Sequence, residues 1–422
     1  MTEPTSPLQI RDFRLLWLSR FGSVLGTVGM VVIIGYQLYD VARGQYGMTI
    51  PQASFQLGLL GLAQFLPLFL FTPVAGVVAD RFDRRSVAAL ASGLDVLIAL
   101  ALALSTRFGM LSLPLLFGLA AMHGTARVFI GPALSAFTPN IVPAALMPRA
   151  IALGSMAWQT GSIGGPALAG LLFGIDHALP YWTATVLMSV SLIAILAIRR
   201  LPPPDGNREV HPVRQVIDGF QYVWHERFLL GCVTLDLFAV LLGGATALLP
   251  VYARDILHVG AQGLGVMRAA PAIGASLVSV ILAARPIRHN VGVKMLWAVA
   301  AFGLTTIGFG LSRSFPLSIA VLAVLGAADM ISVFIRSTLV QLNTPDHMRG
   351  RVSAISGLAI SASNELGEMQ SGVAAALLGA TGAVVFGGVG AIIITAAWAL
   401  FFPELRNART FAPQYRQKET SP

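Results

Sequence analysis

The residues best suited to chemistry in this chain are charged groups set among long apolar stretches. The densest group is Gly76-Val-Val-Ala-Asp80-Arg81-Phe-Asp83-Arg84-Arg85. Charges gather between two apolar segments only where the turn lies in water, and an excess of arginine marks that water as cytoplasm. An acid at the end of one helix can pair with a nearby arginine or with the positive N-terminus of a facing helix. Such contacts can latch one side of a protein shut in one state and break in another. The alternative is a solvated cluster that only fixes topology.

A second set of ionisable groups falls inside the apolar stretches. These are Asp95, His123, Arg127, Asp236, Asp329, Arg336, Glu365 and Glu368. A charge within the hydrocarbon region is costly unless it finds a partner or a wet cavity, so each is a functional candidate. Glu365 and Glu368 are three apart and share one helix face. Close carboxylates in a low dielectric resist joint ionisation, which suits a proton carrier. Asp329 and Arg336 are seven apart and also share a face. For each acid the alternative is a buried structural pair. For His123, one turn from Arg127, it is a hydrogen-bonded packing residue.

These groups must be positioned by membrane-spanning helices. Of 422 residues, 55% are hydrophobic and 11% charged, whereas a soluble domain carries about 25% charged residues. The solvent for most of the surface must therefore be lipid. The expected spans are 13–39, 54–79, 86–106, 111–137, 148–174, 179–199, 227–253, 263–284, 291–311, 315–342, 349–378 and 381–402. Each is long enough to cross a hydrocarbon core of about 30 Å as a helix. The fold class is thus an all-α polytopic membrane protein, with twelve helices in two six-helix bundles. Lipid offers no partner to a free backbone N–H or C=O, which requires helices.

The expected organisation is a cytoplasmic segment 1–12, a first bundle 13–200, a linker 201–226, a second bundle 227–402 and a cytoplasmic tail 403–422. The first span runs on past the length of a signal-peptide core and reads as uncleaved. With the N-terminus inside, the inside segments hold Arg11, Arg14, Arg81, Arg84, Arg85, Arg149, Arg199, Arg285, Arg288, Lys294, Arg349, Arg351 and further basic residues. The outside segments hold Arg43, Arg107, Arg254 and Arg313. That asymmetry puts both termini in the cytoplasm. It also accounts for the formal net charge of +9 without nucleic acid. In the linker, apolar residues at 213, 216, 217, 220, 223 and 224 line one helix face, as in a helix lying on the membrane surface.

The halves echo one another. Val128-Phe129-Ile130 matches Val333-Phe334-Ile335, Gly165 and Gly170 match Gly367 and Gly372, and Tyr39 matches Tyr252, at similar offsets. Parallel repeats of this kind build transporters whose halves rock about a central site. Gly161-Ser-Ile-Gly-Gly165-Pro166-Ala-Leu-Ala-Gly170 combines a helix-bending proline with glycines that admit a close neighbour. Cys232 is the single cysteine, which rules out an internal disulfide and a thiolate metal cluster. No phosphate-binding loop, H-E-x-x-H pair, Cys/His cluster or nucleophile elbow is present, so no cofactor, metal or catalytic residue is expected.

Taken together, these features resemble the major facilitator superfamily over about 12–402. The loop Gly76-x-x-x-Asp80-Arg81-x-x-Arg84-Arg85 is similar to the superfamily's signature between the second and third spans. The resemblance implies that Gly76, Asp80, Arg81, Arg84 and Arg85 form a conformational latch. Asp83 departs from the glycine usual in the pattern. Arg127-Val-Phe-Ile-Gly131 is similar to a second motif whose arginine is linked to proton coupling, although Ile130 replaces its usual glutamine. Gly161, Gly165, Pro166 and Gly170 resemble a motif of superfamily exporters, with the last spacing one residue longer. Asp12-Phe13-Arg14-Leu-Leu-Trp17, Arg349-Gly350-Arg351-Val352 and Asn364-Glu365-Leu-Gly367-Glu368 look like the enterobactin-exporter group, which includes relatives tied to macrolide efflux.

The resemblance implies outward transport driven by proton exchange, from the cytoplasm of a bacterium, and does not identify the cargo. The expected function is a proton-coupled exporter of a small organic molecule, siderophore or drug-like, in a bacterial inner membrane, and nothing in the sequence demands more than one chain. Its partners would be that small molecule, protons and the bilayer. Arg127, Asp236, Asp329, Arg336, Glu365 and Glu368 are the candidates for proton coupling or the substrate cavity. The alternatives are an importer on the same scaffold, or a membrane enzyme, which would need a reactive constellation near one interface.

Overall fold

The computed structural model describes residues 6–135, 137–199 and 212–412. The first half of the chain forms α1 (Arg11–Gly44), α2 (Ile50–Arg81), α3 (Arg84–Arg107), α4 (Leu113–Ser135), α5 (Phe137–Ile141), α6 (Met147–Phe173) and α7 (Leu179–Ala197). Then follow α8 (Pro212–His225), α9 (Arg227–Leu242), α10 (Leu249–Val251), α11 (Gly260–Ala284), α12 (Val291–Leu311), α13 (Phe315–Leu342), α14 (Asp346–Phe401) and α15 (Pro403–Arg406). Among the described residues there is no strand. Among the described residues ten stretches are long and apolar enough to cross a membrane.

Three of the expected spans have a different form. The segments 349–378 and 381–402 run together as α14, which turns at Gly379, where φ is +72° and ψ 165°. A side chain is strained in that conformation, and glycine is not. The span expected at 227–253 is broken. α9 stops at Leu242, and a 3-10 turn, the short α10 and a π-helical turn at Tyr252–Ile256 carry the chain on. Gly243 and Gly244 sit at the break. There Phe302 leaves no room for a side chain at Gly243, whose Cβ would lie 2.6 Å from the ring. The Ser371 hydroxyl donates to the Gly244 carbonyl at 3.0 Å, satisfying a backbone acceptor that the broken helix leaves open.

The chain packs as two compact units. The first comprises the described residues of Met1–Met48, Leu62–Arg208 and Ala253–Ala269. The second comprises those of Thr49–Gly61, Glu209–Tyr252 and Ala270–Pro422. In the first, Phe13, Leu16, Phe137, Ile141, Ile195 and Ile198 form a buried core. In the second, Leu229, Val233, Met295, Leu339, Val352 and Leu405 do so.

Helices inside a bilayer gain little from burying apolar surface, so close backbone approach has to supply cohesion. The glycines provide it. α1 meets α6 at Gly29 and Gly165, where a Cβ on Gly165 would lie 2.7 Å from the Leu25 carbonyl oxygen. α6 meets α11 at Gly170, whose Cβ would lie 2.5 Å from the Ala261 oxygen. In the second unit α2 meets α14 where a Cβ on Gly58 would lie 2.9 Å from the Met369 oxygen.

The linker helix forms as α8, and its apolar face divides. Val223 is buried, while Ile217, Phe220 and Trp224 are exposed, with the Phe220 and Trp224 rings stacked at 5.7 Å. Asp218 pairs with Arg351 at the start of α14 at 3.3 Å, which fixes α8 with those aromatic residues outward. The side chains at 213 and 216 lie outside the described residues, as does the proline run after Arg200.

Candidate functional site

In the second unit, α9 and α13 bring Asp236 and Arg336 together as an ion pair. Both are buried, at 7% and 5% exposure, so carboxylate and guanidinium neutralise each other away from solvent. Asp329 lies two turns earlier on α13 and is half-buried. Arg336 therefore pairs across helices with Asp236 and not along its own helix with Asp329. Glu365 and Glu368 are half-buried on α14, and each has interactions of its own. They lie over Gly61 of α2, where a Cβ would meet the Glu368 Cβ at 2.8 Å and its Oε2 at 3.2 Å. Only glycine at 61 leaves room for that carboxylate.

In the first unit, Asp95 of α3 and His123 of α4 form a second buried pair. Asp95 Oδ1 and His123 Nδ1 are 2.8 Å apart, with side chains 4% and 1% exposed. Arg127, one turn further along α4, is exposed and has an interaction of its own. Close to the Gly44 end of α1, the Tyr181 hydroxyl donates to Gln37 Oε1 at 2.7 Å.

The loop motif lies between α2 and α3. The side chains of Gly76, Asp80 and Arg81 lie outside the described residues. Asp83 is the N-cap of α3, accepting from the Arg85 N–H at 3.2 Å and from the Ser86 hydroxyl at 2.8 Å. The residue that departs from the usual pattern thus holds the first turn of the next helix. The Arg85 guanidinium donates to the Leu196 carbonyl of α7. Arg84 Nε is buried without a hydrogen-bond partner among the described residues. In α6, Gly161, Gly165, Pro166 and Gly170 are all buried, the first two against α1 and Gly170 against α11.

One cluster was not anticipated from the sequence. At the Gly44 end of α1, Asp40 pairs with Arg254 at 3.2 Å and Arg43 with Asp255 at 3.6 Å. The Tyr39 hydroxyl donates to Asp255 at 2.5 Å, and the Arg254 guanidinium stands 6.0 Å from the Tyr39 ring centre. Each segment thus gives one acid and one base to the other. The signal was present in the repeat: Tyr39 is followed by Asp40 and Arg43, and Tyr252 by Arg254 and Asp255. The matching tyrosines are legible in the sequence, whereas the pairing of the charges beside them depends on which segments meet in the fold.

A multi-pass helical scaffold with charged pairs buried inside apolar helices fits a membrane transporter, and the comparisons with known proteins give the major facilitator type. A family model described as "Transmembrane secretion effector" matches residues 2–419, and the chain belongs to that family. It is similar to the enterobactin exporter EntS of Shigella dysenteriae serotype 1 (strain Sd197), with 29% identity over 414 residues, covering 95% of this chain and 94% of that protein. Among solved structures it resembles a POT family transporter in complex with 5-aminolevulinic acid, with TM-score 0.75 and 14% identity, covering 94% of this chain and 97% of that one. It also resembles a bacterial homolog of the human lysosomal transporter Spinster, with TM-score 0.73, 15% identity and coverage of 94% and 97%. At such identities the solved structures speak to the fold.

Proposed function

We propose that this protein is a proton-coupled exporter of a small organic molecule, a siderophore or a drug-like compound, in the inner membrane of a bacterium with both termini in the cytoplasm. The observation that carries this reading is charge buried within the spans. Asp236 and Arg336 form an ion pair with both side chains under 10% exposed, and Glu365 and Glu368 share a face of α14. Buried charge of this kind is costly in a purely structural helix and is what a carrier uses. The similarity to enterobactin exporters supports outward transport. The Gly161, Gly165, Pro166 and Gly170 set supports the same direction through its likeness to the exporter motif.

In the proposed cycle the halves 13–200 and 227–402 alternate access. Protonation of an intramembrane acid, with Asp236, Glu365 and Glu368 as the first candidates and Asp329, Arg336 and Arg127 as further ones, biases one state. The latch at Gly76, Asp80, Arg81, Arg84 and Arg85 opens in the other. Moving one charge through the membrane potential supplies about 2.3 kcal/mol per 100 mV, enough to favour one direction of the cycle.

The test is transport in proteoliposomes carrying an imposed pH gradient, with enterobactin and a macrolide as probes. Export predicts uphill movement of at least one probe in the direction opposite to the proton flux, collapsed by an uncoupler. Movement of a probe with the proton flux would make the protein an importer. No gradient-driven movement of either probe would remove support for the siderophore and macrolide classes.

A further inference from the structure

We propose that Asp95 and His123 form a proton-binding site of the transport cycle, enclosed within the first unit and distinct from the acids of the second half. This rests on the proton-coupled reading above. The pair is sealed: the side chains are 4% and 1% exposed, and Nδ1 and Oδ1 are 2.8 Å apart. His123 Nε2 is buried with no hydrogen-bond partner among the described residues.

The surroundings make this pair different from Asp236 and Arg336. The elements packed against α3 and α4 are α1, α5 and α7, with α2 reaching α4 where Gly124 meets the Gln64 backbone. α5 and α7 contain no Asp, Glu, Lys, Arg or His, and neither do residues 21–39 of α1 or 62–78 of α2. Their titratable groups are tyrosines: Tyr36 and Tyr39 on α1, and Tyr181 on α7. Tyr39 and Tyr181 are already bonded to Asp255 and Gln37. Asp12, near the start of α1, is held by Arg199. Arg11 and Arg14 lie in the same first turns, while Arg20 extends to Gly154 of α6. Arg84, Arg85 and Arg107 stand at the ends of α3. The cation nearest in sequence, Arg127, is exposed.

Among the described residues Asp95 has no ion pair other than that with His123, so an ionised Asp95 beside a neutral imidazole leaves a net negative charge buried there. One added proton, taken up by the imidazole, brings the pair to neutrality as carboxylate with imidazolium. Asp236 has no such need, because the Arg336 guanidinium keeps its charge and already neutralises it. Asp236 can accept a proton only if that ion pair first separates. The Asp95 and His123 pair can accept one in place.

The site is also connected to the loop motif. Asp95 lies about three turns into α3, and α3 is capped by Asp83 at its start. A shift of Arg84 and Arg85 moves the same rigid helix that carries Asp95 against α4. Proton exchange at the buried Nε2 calls for such a shift, since among the described residues that atom has no hydrogen-bond partner.

The experiment uses the full-length protein in lipid nanodiscs with protons as the probe. Nitrogen NMR of 15N-histidine-labelled protein, with the His123 signal assigned by its loss in His123→Gln, is followed from about pH 5 to about pH 8. Expected is a transition of His123 between its singly and doubly protonated forms, lost in Asp95→Asn and retained in Asp95→Glu. A single protonation state of His123 across the range in the unaltered protein would overturn the proposal, and that measurement needs no variant to fold. The second readout is enterobactin efflux in proteoliposomes as a function of pH. Asp95→Asn should flatten the profile, which a packing role would not do, and an unchanged profile would overturn the coupling role. Should the unaltered protein move no enterobactin, that reading of the cargo fails while the proton titration still decides the site.

Discussion

At the scale of single residues, the chemistry follows from how buried charge is compensated. Asp236 and Arg336 are each under 10% exposed. Removing one partner leaves the other charged in an apolar surround, which costs about 3–5 kcal/mol. Asp236→Asn or Arg336→Gln should each lower the unfolding temperature in detergent clearly. The double variant, with no lone charge left, should recover much of that loss, and a fluorescence melt measures all three. A double variant no more stable than the worse single one would mean that the pair is not held as an isolated ionic unit. The sequence made these residues candidates, because an ionisable group inside a span stands out against its neighbours. It could not pair them. Periodicity says which residues share a face of one helix, as Asp329 and Arg336 do, but not which other helix that face meets. The Asp95 and His123 contact was hidden for the same reason: both residues stood out, on two adjacent helices whose relative rotation periodicity leaves open.

Helices, as elements, meet where the chain is smallest. Gly165 leaves no space for a side chain between α6 and α1, and Gly61 none between α2 and the Glu368 face of α14. Gly165→Leu forces backbones apart and should cost about 1–3 kcal/mol or more, read as a lower melting temperature and broader elution in detergent. Helix positions were legible because an apolar run long enough to span lipid has one solution for its backbone polar groups. The break after Leu242 was not, because an apolar composition continues through Gly243, Gly244 and the following turns. The crossed pairs of Asp40 with Arg254 and Arg43 with Asp255 belong to this scale too, since they tie the Gly44 end of α1 to the turn at Tyr252–Ile256. Asp40 is half exposed and Arg254 about a quarter, so each pair is worth about 1 kcal/mol or less in stability. Asp40→Arg should therefore barely move the melting temperature. If the contact opens and closes in the transport cycle, the same change should slow efflux by placing two arginines together. Adding Arg254→Asp should restore the rate, and a double variant as slow as the single one would count against a role for the pair in the cycle.

For the molecule as a whole, stability and transport make different demands on the same charges. A helix-bound charge that only fixed topology would act once, during insertion, and its later loss would not alter turnover. A latch acts in every cycle. The proposed latch contains Asp80 at the end of α2 and Arg84 and Arg85 at the start of α3. Asp83 secures the turn independently as the α3 cap, so the local fold does not need Asp80 to cap that helix. Arg85 is likewise held to the Leu196 carbonyl of α7. Asp80→Asn removes one negative charge next to several arginines, which the positive-inside asymmetry tolerates because acidic residues contribute little to orientation. The amount of protein in the membrane and its topology, measured by labelling of introduced cysteines in a Cys232→Ser background, should stay as in the unaltered chain. Efflux in proteoliposomes should fall, by about tenfold if the latch contributes about 1.4 kcal/mol to the state it closes. A loss of insertion with no change in the turnover of the protein that does insert would assign the cluster to topology. Equal turnover with equal insertion would remove Asp80 from the mechanism, and the cycle would then have to close through contacts such as the Asp40 and Arg254 pair.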